Sequence, residues 1–81
     1  MNVLITGTSQ GIGKAIAEIF LKENHKVFGI DRNESAITDS NYTHYICDVR
    51  DYENLPKLHD INILINNESI IIWRHSRDKF R

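Results

Sequence analysis

The N-terminal stretch 3–22 joins a short apolar run, a turn with three glycines and a helical pattern. The apolar run Val3-Leu4-Ile5 suits a buried parallel strand. Glycines at positions 7, 11 and 13 then let the backbone turn and approach another group closely. From residue 12 to residue 20 the apolar residues recur at the spacing of one helix face. Because the free N–H groups and the positive end of the helix dipole face the turn, this stretch predicts an anion site that suits a pyrophosphate.

Length and composition set the class of protein. With 81 residues the chain forms one domain at most, and its core is thin. Hydrophobic residues make up 41% and charged residues 26%, which is typical of a soluble globular protein. The net charge of −1 indicates neither nucleic-acid binding nor membrane binding. A single cysteine, Cys47, excludes an internal disulfide, and no apolar run approaches the ~20 residues that cross a bilayer. We therefore expect a cytoplasmic protein.

Three further strands are predicted along the chain, over residues 26–30, 42–47 and 61–65. The first helix should end near Asn24, and the connections should contain a weak helical turn over 34–37 and a short helix over 52–59. Strands that alternate with helices or loops predict a parallel sheet with right-handed crossovers. The expected fold is α/β, the first half of a three-layer Rossmann domain, with strand order 3-2-1-4.

Asp31 stands at the end of the second strand, 18 residues after Gly13. A carboxylate in this place can accept hydrogen bonds from the ribose hydroxyls of adenosine. It would also repel a 2′-phosphate, so it favours NAD over NADP, whereas the neighbouring Arg32 could accommodate that phosphate. The alternative is an aspartate that is only solvated in a loop.

The pattern Thr6-Gly-x-x-x-Gly-Ile-Gly resembles the cofactor motif of the short-chain dehydrogenases/reductases. The resemblance implies an NAD(P)-dependent oxidoreductase and covers residues 2–67, about a third of a usual family domain. It implies that the pyrophosphate is held by the turn residues Thr6, Gly7, Ser9, Gln10, Gly11, Ile12 and Gly13.

Two later motifs carry the same resemblance. Asp48 and Val49 match the family's Asp-Val pair, which implies that the carboxylate binds the adenine amino group and that the valine packs on the ring. Asn66 and Asn67 match the start of an Asn-Asn-Ala-Gly motif beside the ribose. The sequence departs from that motif at the next two positions, where Glu68 and Ser69 replace alanine and glycine.

The family's catalytic Tyr-x-x-x-Lys pair is absent from this sequence. Four residues after Tyr42, Tyr45 and Tyr52 stand an isoleucine, a valine and a proline. The lysine would lower the tyrosine pKa toward the working pH. We therefore predict a truncated nucleotide-binding module without catalytic residues, a metal site or activity of its own. The alternatives are a nucleotide sensor, a self-associating structural remnant, and one half of a domain that a separate chain completes.

Residues 68–81 resemble no part of the family and are predicted to be a separate tail, the product of a truncation or a change of reading frame. The tail begins with an apolar run, Ile70 to Trp73, and ends in basic residues. The far edge of the fourth strand lacks a predicted neighbour, and an open strand edge can pair with another chain. We therefore expect a homo-oligomer that forms through this sheet edge or through the tail.

Overall fold

The computed structural model describes residues 1–48 and 50–67. Four strands in this part form one parallel sheet, and their order across it, third, second, first and fourth by position in the chain, confirms the predicted order and the α/β class. The elements in chain order are β1 (Asn2–Thr6), α1 (Gly11–Lys22), β2 (Lys26–Asp31), β3 (Tyr42–Ile46), a 3-10 turn (Tyr52–Asn54) and β4 (Ile63–Ile65).

One face of the sheet packs against α1. Val3 in β1 lies opposite Val27 in β2 and Ile63 in β4, so these side chains point to the same face. The helix covers them with Ala17 and Leu21, both buried. Asn24 ends the helical stretch with a φ of 65°, a left-handed conformation that asparagine tolerates, and this confirms the predicted chain reversal.

The other face is covered by an irregular segment instead of the helix predicted over residues 52–59. Only Tyr52–Asn54 is helical, because Pro56 has no N–H to continue a helix. The segment nevertheless closes a second core, in which Leu55 and Leu58 pack against Leu4 and Ile30. Two leucines from an irregular segment thus replace the apolar stripe of a crossover helix.

Two strand boundaries and one predicted helical turn also differ from the predictions. β3 ends at Ile46 instead of Cys47, and β4 begins at Ile63 instead of Ile61. Ile61 packs into the second core, while the Asn62 backbone N–H donates to Asn2 O at 2.9 Å. Residues 34–37 are not helical, because Ser35 Oγ accepts the Ile37 N–H at 3.0 Å in a local turn.

Several predictions fall outside the described residues: the packing of Val49, the structure of positions 68 and 69, and everything proposed for the tail 70–81. Within residues 1–48 and 50–67, no helix is long and apolar enough to cross a membrane. The expected cytoplasmic location stays a prediction.

Candidate functional site

A polar groove of about 320 Å³ lies at the carboxyl ends of β1 and β2. Ligands of open α/β sheets bind at this edge, beside the turns that follow the strands. Eight residues line the groove, and seven of them are among the predicted site residues. The lining comprises Gly7, Ser9, Gln10, Gly11, Asp31, Arg32, Asn33 and Asn67.

The glycine turn forms one wall of the groove. Gly7 and Gly11 have φ values of 74° and 64°, which lie in the left-handed region that favours glycine. The Gly7 N–H donates to Ile30 O at 2.8 Å and fixes the turn to β2. A Cβ on Gly13 would overlap the Gly7 carbonyl, so this glycine lets α1 start directly against β1.

The N-terminus of α1 opens toward this turn. Gln10, the residue before the helix, is extended, and its side chain makes no capping hydrogen bond. The first turn contains no Asp or Glu. Its free N–H groups and the helix dipole are therefore available to an anion. A Cβ on Gly11 would meet no protein atom within 4 Å, so the space beside this glycine is open. These features fit a pyrophosphate.

Asp31 lies in the same groove with only 8% of its surface exposed. Its Oδ2 accepts the Ser9 N–H at 3.1 Å and its Oδ1 accepts the Asn33 N–H at 2.9 Å. Burial alone would raise the pKa of this carboxyl, but the hydrogen bonds from Asn33 and Ser9 outweigh burial and hold the pKa below its ordinary value. Asp31 is therefore ionised at neutral pH, and each oxygen keeps capacity to accept a ligand hydroxyl.

Sequence reasoning missed a hydrogen-bonded chain of side chains beside Asp31. Tyr42 Oη lies 2.7 Å from Thr8 Oγ1 and 2.6 Å from His44 Nδ1. The other ring nitrogen of His44 lies 2.8 Å from Asn33 O. Burial raises the pKa of Tyr42, so its hydroxyl stays protonated. A Cβ on Gly29 would overlap both Tyr42 Oη and Thr8 Oγ1, so glycine at this position makes room for these two hydroxyl groups.

The asparagine pair after β4 reaches the glycine turn. Thr6 Oγ1 donates to Asn66 Oδ1 at 3.2 Å and accepts the Asn67 N–H at 3.0 Å. Asn67 Nδ2 also donates to Gly7 O at 3.3 Å. These contacts join the ends of β1 and β4 and fix one side of the groove.

The remaining predicted residues in the described part of the chain do not line the groove. Thr6 and Gly13 are buried beneath it, and Ile12 is 69% exposed on α1. Asp48 follows β3 and is bound by Arg50, with Nη2 to Oδ2 at 2.7 Å and Nε to Oδ1 at 3.0 Å. The Arg50 side chain and backbone N–H lower the pKa of Asp48 to about 2.

Among residues 1–48 and 50–67 no three His, Cys, Asp or Glu side chains form a group that could hold a metal ion. Cys47, the single cysteine, is half-buried and packs against the second core.

Comparison with known proteins identifies the family of the chain. The family model described as short chain dehydrogenase matches residues 1–80, which includes most of the tail, so the boundary at residue 67 stays a prediction. Chlorophyll(ide) b reductase NOL, chloroplastic, from Oryza sativa subsp. japonica is 38% identical over 85 residues, covering 82% of this chain and 25% of the relative.

A solved structure shows the same fold. The crystal structure of a short-chain dehydrogenase/reductase from Burkholderia vietnamiensis matches with a TM-score of 0.59 and 23% identity, covering 64% of this chain and 27% of that one. The chain thus spans about a quarter of the length of each relative. The family generally uses NAD(P) as its cofactor. The chain belongs to the short-chain dehydrogenase family of oxidoreductases.

Proposed function

We propose that this chain binds the adenosine diphosphate half of NAD and has no dehydrogenase activity of its own. One observation carries the proposal: an ionised, oriented carboxylate, Asp31, shares a groove with the glycine turn at the N-terminus of α1. A site for a pyrophosphate beside an acceptor for ribose hydroxyls matches the two polar parts of adenosine diphosphate.

Each part of the nucleotide has candidate partners. The turn 7–13 would hold the pyrophosphate, and Asp31 would accept the ribose hydroxyls. Asp48 and Val49 are the proposed adenine contacts. Because Arg50 occupies both oxygens of Asp48, adenine would share this carboxylate with the guanidinium. Asn66 and Asn67 support the turn from β4.

Charge favours NAD over NADP. A 2′-phosphate would bring negative charge against the ionised and mostly buried Asp31. Two unit charges about 4 Å apart repel by roughly 1–4 kcal/mol between the limits of water and a protein surface, which corresponds to at least about fivefold in affinity. Arg32 also lines the groove and offsets part of this repulsion, so we propose a preference and not an exclusion.

The proposed absence of dehydrogenase activity is inferred from the sequence. When bound, the nicotinamide cofactor accepts or donates the hydride, and the family's Tyr-x-x-x-Lys pair moves the proton. No tyrosine of this chain has a lysine four residues later. Tyr42 is a poor substitute, because burial raises its pKa instead of lowering it.

A second candidate function is self-association through β4. This strand has three residues and pairs with β1, and no strand in the described part of the chain lies on its other edge. Leu64 in β4 is 39% exposed. Sedimentation of the purified chain over a range of concentrations tests this candidate, and a monomer at all concentrations would contradict it.

Calorimetric titration of the purified chain with NAD and NADP tests nucleotide binding. We expect saturable binding of NAD, weaker binding of NADP, and a loss of the difference in Asp31→Ala. The matched control is Glu53→Ala, which removes one exposed negative charge away from the groove. An Asp31→Ala protein that binds NAD as tightly as the original chain would contradict the ribose role. Formation of NADH from alcohols by the pure chain would contradict the absence of activity.

A further inference from the structure

Asp31 is held by a closed ring of contacts that runs through β3. Its two oxygens accept the backbone N–H groups of Ser9 and Asn33. Thr8, the neighbour of Ser9, is 2.7 Å from Tyr42 Oη, and Asn33 O is 2.8 Å from His44 Nε2. Since Tyr42 and His44 are themselves joined at 2.6 Å, the two loops that carry the N–H donors are fixed to one strand.

The direction of each hydrogen bond follows from the atoms. Asn33 O can only accept, so His44 Nε2 carries a proton and donates it. In the neutral ring Nδ1 is then unprotonated and accepts the Tyr42 O–H. Tyr42 has no second hydrogen, so the Thr8 hydroxyl donates to Tyr42 Oη. With both ring nitrogens protonated, Nδ1 donates to Tyr42 Oη and Tyr42 donates to Thr8 Oγ1, so the same contacts form in either state of the ring.

Burial makes these hydrogen bonds costly to break. Thr8 has no exposed surface, and Tyr42 is only partly exposed. A buried hydroxyl that loses its partner keeps the desolvation penalty without the hydrogen bond. The Thr8 and Asn33 segments are therefore expected to move together when Tyr42 loses its hydroxyl, and the donors to Asp31 would move with them.

We propose that Tyr42 and His44 are positioning residues, which set the direction of the Asp31 carboxylate by fixing the Ser9 and Asn33 segments. Tyr42 and His44 act through other groups and need no contact with the nucleotide. The expected effect on ribose binding rests on the proposed function, whereas the expected effect on the pKa of Asp31 without ligand does not.

The first test needs no ligand. Carboxyl ¹³C NMR follows the titration of Asp31 in the original chain and in Tyr42→Phe, which removes only the hydroxyl. We expect the pKa of Asp31 to rise toward its ordinary value, because the hydrogen bonds that lower it are loosened. Tyr45→Phe is the matched control, since Tyr45 lies in the same strand and packs into the second core on the other face. An unchanged pKa of Asp31 in a folded Tyr42→Phe protein overturns the proposal.

The second test uses ADP and 2′-deoxy-ADP as probes. Tyr42→Phe should weaken ADP binding about fivefold, the size of one ordinary hydrogen bond, and 2′-deoxy-ADP binding less than about twofold. If the original chain does distinguish the two ligands, equal weakening of both by Tyr42→Phe indicates a merely structural role and overturns the proposal. If the pKa of Asp31 rises but the original chain does not distinguish ADP from 2′-deoxy-ADP, the positioning role stands and the proposed ribose site fails.

A second pair of variants covers the case in which Tyr42→Phe does not fold. Thr8→Val removes the hydroxyl at the other end of the contact with nearly the same shape, and Thr8→Ser restores it. We expect the pKa of Asp31 to rise in Thr8→Val and to return in Thr8→Ser. The same pKa in both Thr8 variants overturns the proposal.

Discussion

Replacement of Gly13 by alanine tests the close contact between α1 and the glycine turn. A Cβ at this position would overlap the Gly7 carbonyl and lie 2.7 Å from Asn67 Nδ2. The asparagine can rotate away, but a backbone carbonyl cannot. Either α1 must move away from β1, or the turn at Gly7, whose φ is 74°, must change.

The expected loss of stability combines two effects. Overpacking against backbone costs about 3 kcal/mol, at the upper end of the usual range. Alanine regains about 1 kcal/mol because it favours the helix more than glycine does. The free energy of unfolding should therefore fall by about 2 kcal/mol, a large fraction of the ~4–12 kcal/mol of a domain this small.

Urea unfolding followed by far-UV circular dichroism measures this loss. With an m-value of about 1 kcal/mol per molar urea, the midpoint should fall by about 2 M. Gly11→Ala is the control, because its Cβ meets nothing within 4 Å and only its φ of 64° is strained. The strain costs about 1 kcal/mol. A Gly13→Ala protein that is as stable as the original, or more stable than Gly11→Ala, would refute the reasoning.

Three further predictions follow from single side chains. The lowered pKa of Asp31 means that its ionised form adds stability above the unfolded pKa of 3.8, so the advantage of the original chain over Asp31→Asn should disappear as the pH falls below about 4 in acid-unfolding curves. Arg50→Gln should raise the pKa of Asp48 from about 2 toward 3.8, as read by carboxyl NMR. Leu4→Ala, in a fully buried position, should cost about 2–5 kcal/mol in urea unfolding. Leu64→Ala, at a position 39% exposed, should cost roughly 1 kcal/mol or less.

The sequence predicted the sheet because its signals are local and strong. Each strand is a short run of β-formers, and right-handed parallel crossovers leave few possible strand orders. The location of the groove could be predicted as well, because parallel strands place Gly7 and Asp31 at the same edge of the sheet. Asn24 marked the end of the helix through its tolerance of positive φ.

The parts that could not be predicted depend on contacts between distant residues. Leu55 and Leu58 pack into the second core from a segment without helical or strand periodicity, so no pattern predicts its path. The Thr8–Tyr42 contact depends on the register of β3 against β2, which places Tyr42 opposite Val27 and His44 opposite Gly29. A clue existed in Tyr42 and His44, two polar residues that alternate along a strand and so share a face.

Because Gly29 has no side chain, the residues that fit at positions 8, 29 and 42 depend on one another. An alanine there would overlap both the Tyr42 hydroxyl and Thr8 Oγ1, so it requires these side chains to move or to be replaced by smaller ones. A smaller residue at position 42 removes the acceptor for the buried Thr8 hydroxyl and favours an apolar residue at position 8. Each single step passes through a destabilised intermediate, so descendants of this chain should change these three positions together or keep all of them.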